Sequence, residues 1–195
     1  DGFKSFLFSL GYFVIRRISI IGSSLFSKNK DLEKVVSFGD NLLGHTNKYL
    51  GSILFNFKPN KNLETSLFDL EFASPITFAS FKDDHHLIDI WLRLGIGGGS
   101  LKTILPHQHD GNPRPRLQEV TVNGHRGLIN HLGLPGKGVD ALCDSLISLP
   151  FLRFNRPVGL SVGGHSLADY KLVFDKFNQT LKQHPYPSFY YELNI

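Results

Sequence analysis

The sequence contains no methionine and only one cysteine among its 195 residues. Because Cys143 stands alone, an intrachain disulfide is excluded and a reducing compartment is expected. Cys143 lies in a helical pattern, so we expect a core thiol rather than a reactive one. Methionine is missing even at position 1, and we therefore expect the chain to begin after its natural start.

The chain also lacks a long uncharged apolar run and a dense basic cluster. The longest uncharged run near the N-terminus, Ser5 to Ile15, is too short to span a bilayer. The net charge is +4 and the pI about 9.2, which does not indicate nucleic acid binding but suits an anionic membrane surface or a small anionic ligand. Hydrophobic residues make up 41% of the chain, enough for one domain with a buried core.

Residues 3–28 have the pattern of an amphipathic helix. Polar residues recur at alternating spacings of four and three and leave a wide apolar face: Ser5, Ser9, Tyr12, Arg16, Ser19 and Ser23. This pattern predicts a helix that lies in a membrane interface. A helix packed on the domain is the alternative, whereas a charged pair so far from the start disfavours a signal peptide.

The remaining sequence predicts alternating helices and strands. A charged linker at 29–34 precedes a second amphipathic helix at 40–55, and residues 58–62 mark a domain boundary. The predicted strands are 75–80, 99–104, 158–163 and 189–195, and the predicted helices between them are 84–94, 139–149 and 168–182. This order predicts an α/β fold with four parallel strands.

The most informative stretch runs from Gly111 to Leu142. It opens with a rigid loop, 111–116, in which two prolines restrict the backbone. The alternating run at 118–122, followed by Asn123-Gly124, predicts a strand that enters a tight hairpin turn. The glycine-rich loop 130–138 then indicates a close approach of backbone to another group, or else a plain surface turn.

Three motifs in this stretch resemble those of dihydroorotate dehydrogenases, most closely the membrane-associated, quinone-dependent class. They are GNPRPR at 111–116, Leu-Ile-Asn-x-x-Gly at 128–133 and Gly-Val-Asp-Ala-Leu at 138–142. The resemblance extends from about Leu67 to Ile195. It implies the N-terminal half of a (β/α)₈ TIM barrel at residues 63–195, behind an N-terminal helical membrane-docking segment at residues 1–62.

The resemblance also implies a function and a place in the cell. The family consists of flavoprotein oxidoreductases that oxidise dihydroorotate to orotate with FMN in pyrimidine biosynthesis, and this class passes the electrons to a membrane quinone. We therefore expect a peripheral membrane enzyme, on the cytoplasmic face in a bacterium or on the inner mitochondrial membrane, attached through residues 3–28.

The family's motifs identify candidate site residues in this chain. The implied flavin contacts are Ala79, Ser80, Lys82, Thr103, Ser161 and Asn194. Of these, Asn194 corresponds to an asparagine that the family shares between flavin and substrate. The implied substrate contacts are Asn130, His131, Leu132, Gly133 and Leu134. Several positions depart from the family's pattern. Phe81 and Lys102 stand where the family has glycine, and other family residues are replaced by His131, Leu134, Pro135 and Ser161.

The family's catalytic base is a serine in a loop that directly follows the fourth strand. No catalytic base is therefore expected within the chain, and we expect it to be a fragment or the N-terminal part of a longer product. A smaller, complete open α/β sheet is the alternative. A non-catalytic or altered-substrate barrel paralogue that binds a membrane or a partner is the alternative function. His107-x-His109 with Asp110 resembles the metal-binding pair of barrel hydrolases, but lacks further ligands, and no metal site is predicted.

Overall fold

The computed structural model describes residues 6, 9–11, 13, 14, 17, 18, 31–146, 148–183 and 188–195. The chain forms two compact units. The first comprises residues 1–54 and 111–133, and the second comprises residues 55–110 and 134–195. The GNPRPR loop and the hairpin that follows it are thus grouped with the N-terminal residues rather than with the sheet.

The helices and strands follow in chain order. They are α1 (Glu33–Leu54), β1 (Thr65–Leu67), β2 (Leu70–Phe72), β3 (Thr77–Phe78), α2 (His85–Arg93), β4 (Gly98–Ile104), β5 (Leu117–Val122), β6 (His125–Asn130), α3 (Val139–Leu146), β7 (Val158–Val162), α4 (Leu167–Gln183) and β8 (Phe189–Leu193). Short 3₁₀ helices occupy Lys61–Leu63 and Pro150–Phe154.

The first unit contains α1 and the β5–β6 hairpin. The two strands pair antiparallel from Leu117 opposite Asn130 to Val122 opposite His125. Asn123 and Gly124 form the turn with φ of 51° and 80°, the two left-handed residues that a tight hairpin requires. The hairpin predicted from Asn-Gly is confirmed.

Helix α1 begins earlier than predicted, at Glu33 rather than at residue 40, so the prediction of a linker through residue 34 is wrong at its end. Asp31 Oδ1 accepts a hydrogen bond from the Glu33 amide at 3.0 Å, which satisfies one of the unpaired amides of the first turn. The Val36 amide bonds to the Leu32 carbonyl at 2.9 Å. This local capping extends the helix beyond its amphipathic stretch.

The predicted interfacial helix at 3–28 lies largely outside the described residues, as does all of its predicted polar stripe except Ser9. The residues that are described in this segment are helical. Their apolar side chains are exposed: Phe6, Leu10, Phe13, Val14 and Ile18. Among the described residues, no helix is both long enough and apolar enough to cross a membrane.

The second unit is built on a four-stranded parallel sheet with the order β3-β4-β7-β8. All four predicted strands are present, so the predicted α/β fold with a parallel sheet is confirmed. Strand β3 is the one most shortened, to Thr77–Phe78. The antiparallel β1–β2 hairpin was not predicted, because its turn residues, Phe68 and Asp69 at φ of 49° and 62°, lack the glycine that marks such turns.

Helix α2 begins and ends at the expected signals. Asp84 Oδ1 accepts from the amides of His86 and Leu87 at the start of α2, and Gly95 follows its end at φ 94°. Helix α3 ends at Leu146, earlier than the predicted 149. Pro150 disfavours helical backbone at Leu149, which is extended at ψ 125°, so the helix does not continue to the predicted end.

The core of the second unit lies between the sheet and its helices. Side chains from β4, β7, α2, α3 and α4 form one buried cluster, which includes Ile88, Leu92, Leu101, Ile104, Val139, Leu146, Val158, Leu160, Val162, Val173 and Phe177. Strand β7 is buried along its whole length, as expected of a central strand in a parallel sheet covered by helices.

Candidate functional site

Three of the predicted flavin contacts form a hydrogen-bonded cluster where parallel strands end. The Thr103 hydroxyl lies 3.0 Å from the Ser161 hydroxyl, and the Asn194 side-chain amide donates to Thr103 Oγ1 at 2.9 Å. Thr103 and Ser161 are buried, whereas Asn194 is exposed. Polar groups that are far apart in the sequence therefore meet at the carboxyl ends of β4, β7 and β8.

The sheet register explains this meeting. In the parallel β7–β8 pair, Ser161 lies opposite Glu192, two residues before Asn194. The register between β4 and β7 shifts between Leu101 and Ile104, and such an irregularity redirects a side chain. Thr103 lies at this shift, and its hydroxyl reaches Ser161 on the neighbouring strand.

A carboxylate that was not predicted joins the cluster. The Ser161 hydroxyl donates to Glu192 Oε1 at 3.0 Å, and the hydroxyls of Ser80 and Ser100 also hydrogen-bond to Glu192. Burial raises the pKa of Glu192, but the three serine hydroxyls together outweigh it, and the pKa lies below its ordinary value. The group is therefore ionised at neutral pH.

The loop after β3 holds three more predicted flavin contacts. Ala79 is exposed and its carbonyl accepts from the Phe81 amide at 2.7 Å. The Ser80 side chain hydrogen-bonds to Glu192 and so joins the same cluster. The Lys82 carbonyl accepts from the Lys102 amide at 3.0 Å, which joins the loop to β4.

Phe81 and Lys102, which stand where the family has glycine, each lie next to a specific group. Phe81 is 51% exposed, and the Lys82 ammonium lies 5.7 Å from its ring centroid. The Lys102 ammonium donates to the Pro135 carbonyl at 2.5 Å. Lys102 thereby ties β4 to the loop before α3, the loop in which the predicted substrate contact Leu134 lies at φ 52°.

The other predicted substrate contacts belong to the first unit. Asn130 ends β6 and is exposed. The His131 amide donates to the Arg116 carbonyl at 2.9 Å, and the Leu132 carbonyl accepts from the Asn112 amide at 3.0 Å. Gly133 has φ 72° and packs closely on Asn112. Two of the motifs that carry the resemblance are thus bonded to each other.

The candidate metal pair carries no further support among the described residues. The His109 amide and carbonyl pair with Gly136 as an isolated bridge. Within the described parts of the chain, no group of three or more His, Cys, Asp or Glu side chains could hold a metal ion.

The site contains groups that sequence reasoning missed, namely Glu192, Ser100 and the Tyr190 hydroxyl, which lies 3.1 Å from Ser100 Oγ. Glu192 was the available signal, because a carboxylate two residues before Asn194 falls on the same face of a strand. The assembled hydroxyl and amide groups both donate and accept hydrogen bonds. Such a set suits a ligand edge that carries both carbonyl oxygens and ring N–H groups.

Comparison with known proteins gives one family. The family model for dihydroorotate dehydrogenase matches residues 62–195. The chain is similar to proteins named dihydroorotate dehydrogenase (quinone). The one from Gloeobacter violaceus is 28% identical over 70% of this chain and 38% of its own length. The one from Dechloromonas aromatica is 30% identical over 61% and 36%, and the one from Trichodesmium erythraeum is 33% identical over 56% and 29%.

Proposed function

This chain belongs to the dihydroorotate dehydrogenase family, and on that premise we propose that it is the flavin-binding part of a quinone-dependent dihydroorotate dehydrogenase. The proposed activity is the oxidation of dihydroorotate to orotate in pyrimidine biosynthesis. The chain spans 38% of the length of its Gloeobacter relative, so the activity is proposed for the protein in which the chain occurs. The observation that carries the proposal is the Thr103–Ser161–Asn194 cluster at the carboxyl ends of three parallel strands.

The proposed architecture is the N-terminal half of a (β/α)₈ barrel at residues 63–195, behind a helical segment at residues 1–62. In such barrels, ligands collect at the carboxyl ends of the strands. The polar cluster lies at that end of β4, β7 and β8, which supports the proposal. The start of the family match at residue 62 supports the boundary.

The proposed cofactor is FMN, which would accept hydride from the substrate. Thr103, Ser161 and Asn194 would hold its polar edge, since their side chains are neutral and can pair with both carbonyl oxygens and ring N–H groups. Ala79 and Ser80 would contact it from the β3–α2 loop, and Lys82 would stabilise negative charge. The outward position of Phe81, 51% exposed, leaves the small residues of that loop to make this approach.

The proposed substrate contacts are Asn130, His131, Leu132, Gly133 and Leu134. The Asn130 side-chain amide would hydrogen-bond to the pyrimidine ring of the substrate. The backbone of 131–133, which hydrogen bonds hold in place, would shape the loop around the substrate. Asn112 supports this backbone with a 2.6 Å bond from Nδ2 to the His131 carbonyl. A loop held in this way keeps a ligand contact in one position.

The proposed partners are a membrane surface and a membrane quinone, reached through residues 3–28. The exposed apolar residues Phe6, Leu10 and Phe13 of this segment follow one another at spacings of four and three, the periodicity of one helix face, which supports an interfacial position. We propose a peripheral membrane location, at the cytoplasmic face in a bacterium or at the inner mitochondrial membrane.

The test is the visible absorption spectrum of the natural protein, purified in mild detergent, before and after anaerobic addition of dihydroorotate. A flavin band that bleaches supports the whole proposal. A flavin band that does not bleach removes dihydroorotate as the substrate. Folded protein without flavin would exclude the dehydrogenase activity and leave the alternative, a non-catalytic barrel paralogue. The observation that favours this alternative is Lys102, which stands where the family has glycine.

A matched pair of variants connects the flavin band to the cluster. Thr103→Val keeps the shape of the side chain but removes the hydroxyl that Asn194 bonds, and we expect weaker flavin retention. Thr121→Val makes the same change at an exposed position of β5 and should retain flavin as the unchanged protein does.

A further inference from the structure

Glu192 is the common acceptor of hydroxyl groups from three other segments of the sheet. Ser161 of β7 donates to its Oε1 at 3.0 Å, and Ser100 of β4 and Ser80, just after β3, also bond to the carboxylate. Glu192 itself lies on β8. One side chain of β8 therefore bonds to residues on, or just after, the other three strands of the parallel sheet.

An ionised carboxylate can only accept hydrogen bonds, whereas a hydroxyl donates one and accepts others. Each serine that bonds to Glu192 must therefore direct its proton toward the carboxylate. Its oxygen remains available only as an acceptor for the next group. Glu192 thus sets the direction of every hydrogen bond in a chain that ends on it.

Two such chains end on Glu192. In the first, Ser161 donates to Glu192, so the 3.0 Å contact with Thr103 must be a donation from Thr103 to Ser161. Thr103 Oγ1 then accepts from Asn194 Nδ2 at 2.9 Å. In the second, Ser100 donates to Glu192 and accepts from the Tyr190 hydroxyl at 3.1 Å.

The first chain determines which end of the Asn194 amide faces the ligand. The backbone of Asn194 is held on both sides, since its amide donates to the Val162 carbonyl at 3.0 Å and its carbonyl accepts from the Tyr170 hydroxyl. With Nδ2 directed at Thr103, the side-chain oxygen Oδ1 is the group presented outward. An amide oxygen in this position can accept a hydrogen bond from a ligand N–H.

We propose that Glu192 is a positioning residue that fixes the direction of the Asn194–Thr103–Ser161 chain and thereby makes the site select a pyrimidine ring with an N–H facing Asn194. The choice of a pyrimidine rests on the proposed function. The direction of the chain does not, because it follows from the acceptor character of the carboxylate alone.

The direction is tested by neutron diffraction from deuterated crystals of the natural protein, without any ligand. We expect the deuteron of Ser161 Oγ to point at Glu192 and that of Thr103 Oγ1 to point at Ser161. The side-chain atom of Asn194 nearest Thr103 should carry two deuterons. A deuteron on Glu192, or the reverse orientation of Thr103 and Asn194, overturns the proposal whatever the protein binds.

The selection is tested by the affinities of orotate and of its 1-methyl and 3-methyl derivatives, measured by calorimetry. For the natural protein we expect one methyl derivative to bind at least about ten-fold more weakly than orotate, the loss that about 1.4 kcal/mol represents. Glu192→Gln and Ser161→Ala should both reduce the ratio of the dissociation constants of the methyl derivative and of orotate toward one. Ser100→Ala interrupts only the second chain and should reduce the ratio less than Ser161→Ala does.

The outcomes separate the two proposals. If the natural protein does not bind orotate, the proposed function fails and the neutron result alone decides the role of Glu192. If orotate binds but neither methyl derivative is discriminated, or if Glu192→Gln keeps the natural ratio, the selection by Glu192 is wrong. If Ser100→Ala lowers the ratio as far as Ser161→Ala, the effect is a general loss of structure and not a directed chain.

Discussion

Arg116 and Glu33 form a two-point ion pair in which Arg116 Nε donates to Oε2 and Nη2 donates to Oε1, both at 3.0 Å. Arg116 ends the GNPRPR loop and Glu33 begins α1. Arg114, two residues earlier, donates from Nε to Asp31 Oδ2 at 2.7 Å, which lowers the pKa of Asp31 below its ordinary value. The arginines of this loop therefore hold the start of the first helix.

Replacing Arg116 with lysine should destabilise the first unit. Lysine keeps the charge but cannot form two parallel hydrogen bonds with one carboxylate. Both side chains are largely shielded, at 12% and 21% exposure, and we expect a loss of about 1 to 2 kcal/mol in the free energy of unfolding, measured by urea denaturation. Arg126→Lys makes the same change in the exposed pair with Glu119 and should have no measurable effect. Equal losses in the two variants would contradict the assigned role of Arg116.

Gly133→Ala should be damaging for two separate reasons. Gly133 has φ 72°, and an added Cβ would lie 2.7 Å from Asn112 Cγ and 2.8 Å from the Asn112 amide nitrogen. We expect a loss of about 2 kcal/mol or more, since the left-handed conformation alone is unfavourable for alanine by about 1 kcal/mol. Gly136→Ala is the control in the same loop, because nothing lies within 4 Å of its added Cβ. Thermal unfolding of both variants measures the difference, and equal midpoints would refute it.

The sequence predicted the parts of the fold that depend on local patterns. The four parallel strands follow from alternating strands and helices, and the Asn123–Gly124 turn follows from residues that favour left-handed backbone. The β1–β2 hairpin was missed because Phe68 and Asp69 adopt that backbone without any glycine. Its geometry depends on tertiary packing, which a single sequence does not display.

The candidate site was predictable only in part, for a similar reason. Motif resemblance identified Thr103, Ser161 and Asn194 separately, and the structure brings them into one cluster. Glu192 was missed because its role depends on the register that puts it opposite Ser161. A strand sequence gives the face of a side chain but not its partner on the next strand.

The start of α4 should make stability depend on pH. Ser166 Oγ accepts from the Asp169 amide at 3.2 Å, and Asp169 Oδ2 accepts from the amides of His165 and Ser166 at 2.9 and 3.1 Å. These bonds, the His165 amide first, lower the pKa of Asp169 below its ordinary value of 3.8. A lowered pKa stabilises the fold above the unfolded value, and this contribution is lost as pH falls through the folded value.

Asp169→Asn should therefore lower the melting temperature at neutral pH but not in strong acid. Comparing the two proteins between neutral pH and about pH 2 should give melting curves that converge below the ordinary carboxyl pKa. A gap that stays constant over the whole range would mean that the charge of Asp169 contributes nothing, and that the variant acts only through shape.

Asp89 should be the most sensitive charged residue of α2. Its side chain is 4% exposed and accepts hydrogen bonds from Arg93 Nε at 2.8 Å and from Arg153 Nη2 at 2.6 Å. The two guanidinium groups also lie 5.8 and 4.8 Å from the ring centroid of Phe154. Asp89 thus joins α2 to the 3₁₀ helix at Pro150–Phe154.

Asp89→Asn keeps the volume of the side chain but removes the charge that both arginines face. We expect a loss of about 2 to 3 kcal/mol in urea denaturation, below the usual 3 to 5 kcal/mol for a broken buried pair, since Arg153 remains 47% exposed and can turn to water. Asp175→Asn is the matched control, because Asp175 pairs with Lys171 on the surface and should change stability little. Combining Asp89→Asn with Arg153→Leu should cause a smaller loss than the sum of the two single losses, since each removes the same ion pair. Strict additivity would mean that the 2.6 Å contact contributes no stability of its own.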